Sequence, residues 1–202
     1  MRAALAATRD AVTVVRSFGT EERARRAQII DQARALASEQ GYQGLTIRAV
    51  ASAANTTPVT IYRYFGSKDG LAQQLMADWS LETLNRLQAL EFDEEVTEAE
   101  RLADAFSHLI DWAAEDRNLL DAGLSSIHTA SSANSGIGLW QPLFVELVRA
   151  ALGEPDWQDD EHRALILGHV LTTCLLDLTA GSGDTAAIQD TIATACRLLF
   201  DA

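Results

Sequence analysis

Residues 45–71 read LTIRAVASAANTTPVTIYRYFGSKDGL, and this stretch predicts two short helices separated by a tight turn. Apolar residues recur at helical spacing in its first half, which predicts a helix over 46–54. Asn55 follows, and asparagine tolerates the left-handed backbone that such a turn requires. Thr57 can then cap a second helix over 58–65, whose first residue is a proline that loses no hydrogen bond at that position.

Longer helices are predicted on both sides of this pair. A threonine followed by two acidic residues predicts the start of a helix over 21–40, with Gly41 as its stop. Gly66 ends the second short helix, and Ser67 caps a long fourth helix over 67–90. Two short helices joined by a tight turn and preceded by a longer helix form the helix-turn-helix arrangement, which is typical of DNA-binding proteins.

The second short helix has the two faces that contact with DNA requires. Ile61 and Phe65, four residues apart, are predicted to anchor its inner side. The outer side is then left with residues that can touch phosphates or base edges, namely Val59, Thr60, Tyr62, Arg63 and Tyr64. Lys68 lies in the first turn of the next helix, where a cation is slightly unfavourable because it opposes the helix dipole. A phosphate bound at this helix end would offset that cost.

This stretch resembles the tetracycline-repressor (TetR) family of regulators. The resemblance is carried by Thr46 and Arg48, the turn Asn55-Thr56-Thr57, the run Tyr62 to Phe65, and Lys68 with Leu71. The turn departs from the family, because Asn55 and Thr56 stand where a glycine and an apolar residue are usual, and this leaves the angle of the recognition helix open. The resemblance implies DNA contacts by Thr46, Arg48, Thr57, Val59, Thr60, Tyr62, Tyr64 and Lys68.

Some of these DNA contacts have plainer alternatives. Arg63 is added to the set for its own chemistry, since it can neutralise phosphate or read guanine. Tyr64 could instead pack in the core against the first helix. Arg48 could be a solvated helix charge, and Lys68 an ordinary surface lysine.

Charge is distributed unevenly along the chain. Residues 1–70 carry ten basic and six acidic side chains, whereas residues 71–202 carry six basic and 23 acidic, within a net charge of −13. One end can therefore approach phosphate while the other is repelled by it. We expect an all-α protein of about nine helices, with an N-terminal extension over 1–20, a three-helix helix-turn-helix DNA-binding domain over 21–70, and an effector-binding and dimerisation domain over 71–202.

The C-terminal domain is expected to form a homodimer. The resemblance implies a bundle of four helices, two from each copy, built from predicted helices over 160–180 and 184–200. The helix over 160–180 has apolar residues on more of its circumference than one core-facing stripe needs. This is typical of a helix that packs both on its own core and on a partner. Two-fold symmetry then predicts a roughly palindromic operator in double-stranded DNA.

A small-molecule effector of unknown identity is the second expected partner. One hypothesis is that the polar stripe of His169, Thr173 and Asp177 lines its cavity; the favoured alternative is that these residues bond across the dimer or face water. Aromatic and histidine side chains form a second set of pocket candidates, although such residues on helices are more often core: Phe106, His108, Trp112, His128, Trp140 and Phe144. His108 and Asp111 alone do not make a metal site, so neither a metal nor a cofactor is predicted.

Several other classes of protein are disfavoured by the sequence. No apolar run approaches the roughly 18 residues of a membrane span. There is no secretory signal, and the two cysteines lack zinc-like spacing, so a reduced, cytoplasmic protein is expected. The motifs of common enzyme sites are missing, which makes an enzyme the least favoured class.

The sequence thus predicts a sequence-specific transcriptional regulator, and more specifically a repressor that an effector releases from its operator. The alternative is a helical dimeric module that binds a protein or a ligand without binding DNA.

Overall fold

The computed structural model describes residues 19–92, 95–129, 141–153 and 161–201, and these form helices with no strand among them. In chain order the nine helices of this part are α1 (Thr20–Gly44), α2 (Ile47–Ala53), α3 (Pro58–Phe65), α4 (Lys68–Gln88), α5 (Glu98–Glu115), α6 (Arg117–Thr129), α7 (Gln141–Leu152), α8 (Glu161–Ala180) and α9 (Thr185–Phe200). The predicted all-α fold class is confirmed. All but the last two residues of the predicted N-terminal extension lie outside the described residues.

The chain divides into two compact units, and the division falls inside α4, between Trp79 and Ser80. The N-terminal unit contains α1, α2, α3, the first half of α4, and α6. The C-terminal unit contains the second half of α4 with α5, α7, α8 and α9. The boundary predicted after residue 70 lies nine residues before this division, and the assignment of separate functions to the two parts stays a prediction.

The N-terminal unit is built around aliphatic side chains from all five of its helices. Its fully buried members include Ile29, Ala33, Leu45, Val50, Ile61, Leu71, Leu75 and Leu120. Helix α6 packs on α1, and its Gly123 admits Met76 of α4, since a Cβ at Gly123 would lie 2.8 Å from the Met76 Cβ. At the start of α6, Trp79 Nε1 donates to Asp116 Oδ2 at 2.9 Å. Helix α6 is therefore an integral part of the unit that carries the two short helices.

The regular part of α1 ends at Gly41, as the sequence predicts. The Gly41 backbone leaves the helical region, with φ of +60° and ψ of −157°. Helix α6 holds this end of α1 through two hydrogen bonds. Asn118 Nδ2 donates to Ser38 O at 2.9 Å, and the Tyr42 N–H donates to Asp121 Oδ2 at 3.0 Å. A Cβ on Gly41 would lie 2.7 Å from that same oxygen, so both the backbone angle and the close approach require glycine.

The C-terminal unit is a bundle in which α5 packs on α7, α8 and α9, and α8 packs on α7 and α9. Gly168 in the middle of α8 allows Phe144 of α7 to lie directly against the helix backbone, because a Cβ there would meet the Phe144 Cγ at 2.2 Å. A polar bond joins α9 to α5, where Gln189 Nε2 donates to Asp111 Oδ1 at 2.8 Å. Close packing at Gly168 and this bond fix the helices against each other.

Helix α8 is long and apolar enough to cross a membrane, and it is the one such helix in the described part of the chain. This corrects the expectation that no segment reaches that length. A core helix of a soluble protein passes the same test, and seven residues of α8 are buried in this structure. Packing within the C-terminal unit accounts for these seven residues.

Candidate nucleic-acid interface

The turn between α2 and α3 is closed by local hydrogen bonds. Asn55 adopts the left-handed conformation predicted for it, with φ of +47°. Its N–H donates to Ser52 O at 3.2 Å, and the Thr56 N–H donates to Ala51 O at 2.9 Å. These two bonds form a Schellman motif, in which the last carbonyls of a helix are satisfied by the residues that follow it. The direction in which the chain enters α3 is thus set by the turn itself.

Both short helices begin at threonine caps, as predicted. Thr46 Oγ1 accepts a hydrogen bond from the Ala49 N–H at 3.2 Å at the start of α2. Thr57 Oγ1 accepts one from the Thr60 N–H at 3.3 Å at the start of α3, and Pro58 occupies the first helical position. Helices of seven and eight residues are too short to be stable alone, so caps and side-chain burial must hold them in place.

Helix α3 is anchored on its inner side by Ile61 and Tyr64. Ile61 is completely buried and Tyr64 is 4% exposed, whereas Phe65 is only half-buried, with the Arg26 guanidinium 5.2 Å from the centre of its ring. The predicted anchor pair of Ile61 and Phe65 is therefore corrected. On a helix, the residues three and four positions after Ile61 both lie on the same face as Ile61. Here the residue three positions after it, Tyr64, occupies the interior. Tyr64 is accordingly removed from the predicted DNA contacts.

The opposite side of α3 faces outward, and we call it the α3 outer face: Thr57, Val59, Thr60, Tyr62 and Arg63. Val59 is 77% exposed and Tyr62 is 52% exposed. Four large hydrophobic residues are this exposed in the described part of the chain, and two of them lie on this short helix. Apolar side chains concentrated on one exposed helix face indicate a binding surface.

Cationic side chains accompany the α3 outer face. Arg48 on α2 is exposed. Arg63 is oriented by α1 and by its own helix, because its Nη2 lies 3.9 Å from Glu22 Oε1 and donates to the Tyr64 hydroxyl oxygen at 3.1 Å. Its guanidinium carbon also lies 4.9 Å from the centre of the Tyr64 ring. Arg63 therefore combines an exposed position with a defined orientation.

Lys68, at the start of α4, is held by an aromatic ring that the sequence analysis did not identify. Its Nζ lies 3.6 Å from the centre of the Tyr42 ring. Burial lowers the pKa of Lys68, and the neighbouring Asp69 opposes part of that effect. Tyr42 and Lys68 are 26 positions apart and share no helix, so no periodicity relates them. The sequence feature that could have indicated this contact is the aromatic residue directly after the Gly41 helix stop.

The aromatic candidates for the effector pocket are divided between core and surface of the C-terminal unit. Phe106 and Phe144 are buried. His108 and Trp112 are half-buried, with ring centres 6.1 Å apart. Trp140 and the side chain of His128 lie outside the described residues.

The polar stripe of α8 is exposed. His169, Thr173 and Asp177 all face outward, so they do not enclose a cavity within the described part of the chain. His169 Nδ1 lies 2.6 Å from Leu165 O and the Thr173 hydroxyl donates to His169 O at 3.1 Å, so both side chains contact their own helix backbone. The His169 and Phe144 ring centres are 6.3 Å apart, which brings together one member of each predicted set. Exposure of all three favours the alternative that they bond across the dimer or face water, and the cavity hypothesis for this stripe stays a prediction.

Comparison with known proteins gives matches to both parts of the chain. Residues 29–75 match the model of the bacterial regulatory proteins of the tetR family. A stretch of 59 residues of the chain is similar to the HTH-type transcriptional repressor KstR of Mycobacterium tuberculosis, at 44% identity. That match covers 29% of this chain and 27% of the relative's length. The chain therefore matches only about a quarter of that protein.

Solved structures extend the likeness in fold along most of the chain. A TetR transcriptional regulator from Rhodococcus sp. RHA1 superposes with a TM-score of 0.68 at 20% identity, over 90% of this chain and 97% of that one. The transcriptional regulator FadR of Bacillus subtilis, solved with stearoyl-CoA, gives a TM-score of 0.51 at 19% identity, over 87% and 97%. Residues 29–75 therefore match the tetR family in sequence, and most of the chain shares the fold of these solved structures.

Proposed function

We propose that this chain is a sequence-specific, DNA-binding transcriptional regulator of the cytoplasm. The α3 outer face carries the proposal, because Val59, Tyr62 and Arg63 are presented to solvent by a helix that Ile61 and Tyr64 hold from behind. Apolar groups, hydroxyls and one guanidinium on such a helix suit the thymine methyls, phosphates and guanine edges of a major groove. Thr46, Arg48, Thr57, Thr60 and Lys68 are proposed to add contacts, mainly to phosphates.

The regulator is proposed to act as a homodimer on a palindromic operator. Helices α8 and α9 pack together, and each exposes a large apolar residue: Ile166 is 51% exposed and Leu198 78% exposed. These are the other two exposed large hydrophobics in the described part of the chain, so a second copy is a suitable occupant. Two recognition helices related by a two-fold axis would then read half-sites one or more helical turns apart.

Release of DNA by a small molecule is proposed to give the regulator its switch, with repression as the ground state. FadR, which shares the fold, was solved with stearoyl-CoA, which supports a ligand for this fold. Helix α4 contributes to both compact units, so a ligand that favours one position of this helix over another could change the affinity for DNA. Coupling of this kind is typically worth about 1–3 kcal/mol.

Selection of bound duplexes from a random pool tests the proposal directly. We expect an enriched palindrome, and its affinity should fall steeply as the salt concentration rises. Arg48→Ala should weaken binding and reduce the slope of log K against log salt by about 1, as expected for the loss of one phosphate contact. Arg86→Ala is the matched control, since it removes an exposed arginine from the C-terminal unit and should leave the slope unchanged.

The same experiment separates the regulator from a module that has the fold without the activity. Such a module would enrich no sequence, and its residual binding would not distinguish one duplex from another. That result would contradict the proposed function.

A further inference from the structure

Tyr42 connects three features of the N-terminal unit. The face of its ring lies against the Lys68 ammonium, 3.6 Å from Nζ to the ring centre. Its hydroxyl donates a hydrogen bond to the Asp69 carboxylate. Its backbone N–H donates to Asp121 Oδ2 on α6 at 3.0 Å. One residue thus contacts both charged side chains at the start of α4 and is itself held by a third element.

The position of Tyr42 is determined by its surroundings. Asp121 is fixed on its other oxygen, where Ser125 Oγ donates to Oδ1 at 3.1 Å. The preceding Gly41 has φ of +60°, which turns the chain toward α6, and no side chain would fit between it and Asp121. The backbone of Tyr42 is therefore held by α6, independently of Lys68.

We propose that Tyr42 is a positioning residue for DNA binding: its ring holds the Lys68 ammonium at the start of α4, where the cation meets a phosphate. This proposal rests on the proposed function. A free lysine side chain loses rotamer freedom when it binds, and a ring that already restricts it removes part of that cost. The ammonium has three N–H donors, so contact with the ring on one side leaves donors for a phosphate oxygen.

The hydroxyl of Tyr42 has a separate effect. The Asp69 carboxylate lies next to Lys68 in the sequence and would repel a phosphate at the same place. A hydrogen bond from Tyr42 to that carboxylate holds the acid on the protein side. The ring acts through Lys68, whereas the hydroxyl acts through Asp69, and substitutions can separate the two.

A double-mutant cycle on the full-length protein tests the proposal, with the selected operator as ligand. Tyr42→Leu should weaken DNA binding by roughly 2- to 10-fold, the range expected for immobilising one flexible side chain. In a Lys68→Met background the same substitution should have almost no further effect, because the group that the ring positions is gone. Tyr42→Phe retains the ring and should stay within about 2-fold of the unsubstituted protein, since only the neighbouring hydrogen bond is lost.

A matched control and a spectroscopic readout accompany the cycle. Phe92→Leu removes a ring that lies 5.7 Å from the Arg101 guanidinium carbon in the C-terminal unit, and it should not change DNA affinity. In the free protein, the ring of Tyr42 should shift the NMR signals of the Lys68 ε-methylene protons upfield, and Tyr42→Leu should abolish that shift. If Tyr42→Leu does not fold, Tyr42→Met provides a larger side chain without a ring.

Three results would overturn the proposal. Equal losses from Tyr42→Leu in both backgrounds would show that it does not act through Lys68. A loss of DNA affinity in Tyr42→Phe as large as in Tyr42→Leu would show that the ring is not the group that positions Lys68. Unshifted Lys68 signals would show that the ring and the ammonium are not in contact. A protein that binds no specific DNA would instead contradict the proposed function, while the NMR shift would still report the contact.

Discussion

At the scale of single residues, Gly41 has two constraints that can be measured separately. Its φ of +60° is unfavourable for any other residue, and a Cβ would lie 2.7 Å from Asp121 Oδ2. We expect Gly41→Ala to lower the free energy of unfolding by about 2–4 kcal/mol, because it strains the backbone and also displaces the carboxylate that holds Tyr42. Urea unfolding followed by circular dichroism measures the loss.

Gly66 provides the matched control for Gly41. Its φ is +74°, but no atom lies within 4 Å of the position that a Cβ would take. Gly66→Ala should therefore cost only the backbone strain, about 1–2 kcal/mol. Equal losses in the two variants would mean that the contact between Gly41 and Asp121 contributes nothing to stability.

The two cysteines should be unreactive in the folded protein. Cys196 is completely buried, and burial raises its pKa to about 12, from an ordinary value of 9.0. Burial also raises the pKa of Cys174, and the nearby Asp177 adds to this effect. Since the thiolate is the reactive form, neither cysteine should react with Ellman's reagent at pH 8, and both should react in guanidinium.

The pH dependence of these thiols has a definite sign. The raised pKa of Cys196 stabilises the folded state fully below about pH 9, where the thiol is protonated in both states. This stabilisation is lost as the pH rises from about 9 toward 12, because the unfolded chain ionises first. Rapid labelling of the native protein at pH 8 would contradict the burial of both groups.

The limits of sequence reasoning are visible in neighbouring residues of α3. Ile61 was correctly predicted as an anchor, because its spacing from other apolar residues fits one helix face. The choice between Tyr64 and Phe65 could not be made that way, since residues three and four positions after Ile61 share its face. Contacts with residues far away in the sequence decide between them, such as the contact of the Arg26 guanidinium with the Phe65 ring. Tyr42 escaped prediction for the same reason.

At the scale of helices, the threonine caps make a testable contribution to stability. Thr46 and Thr57 each accept a hydrogen bond from a backbone N–H of the helix that follows. We expect Thr46→Ala and Thr57→Ala each to cost about 1 kcal/mol in the free energy of unfolding, since one helix donor loses its partner. Thermal and urea unfolding of the DNA-free protein measure this without involving the proposed contacts of both residues.

Asp184 at the start of α9 is the control for the caps. It occupies the cap position, but its side chain makes no capping hydrogen bond. Asp184→Ala should therefore cost no more than a few tenths of a kcal/mol, the part due to its charge near the helix dipole. If all three variants lost the same amount, the capping bonds would not be the source of the effect.

Helix positions were predicted more accurately than helix partners. The Thr46 and Thr57 caps, the Asn55 turn and the Gly41 stop depend on residues within a few positions of one another, and the structure confirms each of them. The cap predicted at Thr20 is wrong, because Gly19 occupies the cap position and Thr20 is the first helical residue. The membership of α6 in the N-terminal unit was not predicted. It depends on bonds such as Asn118 to Ser38, which join residues 80 positions apart, and on the close approach at Gly123. No local pattern encodes such pairings.

At the scale of the whole molecule, the uneven distribution of charge constrains how the protein can meet DNA. Residues 1–70 have a net charge of +4, while residues 71–202 have one of −17. A long polyanion is therefore attracted to one end of the sequence and repelled by the rest. In the proposed function the acidic segment limits non-specific binding, so the electrostatic attraction to DNA comes from the basic residues of 1–70.

Dimerisation through α8 and α9 is the prediction that belongs to the whole molecule. Leu198→Glu places a charge at a site that is 78% exposed in the single chain but would be buried in the proposed dimer. Because burying an unpaired carboxylate is costly, the dissociation constant of the dimer should rise by at least about 100-fold, or roughly 2.7 kcal/mol. Sedimentation velocity should then detect monomers, and the affinity for the full operator should fall because each half-site is bound separately.

Val59→Glu is the matched control, since it puts the same charge on a residue that is 77% exposed on the α3 outer face. It should abolish operator binding, because a carboxylate would face the phosphates, but it should leave the dimer intact. The two variants thus separate self-association from DNA contact. If Leu198→Glu and Ile166→Glu both remained dimeric, the pairing surface would lie elsewhere, and the spacing of the recognition helices would have to be set by other elements.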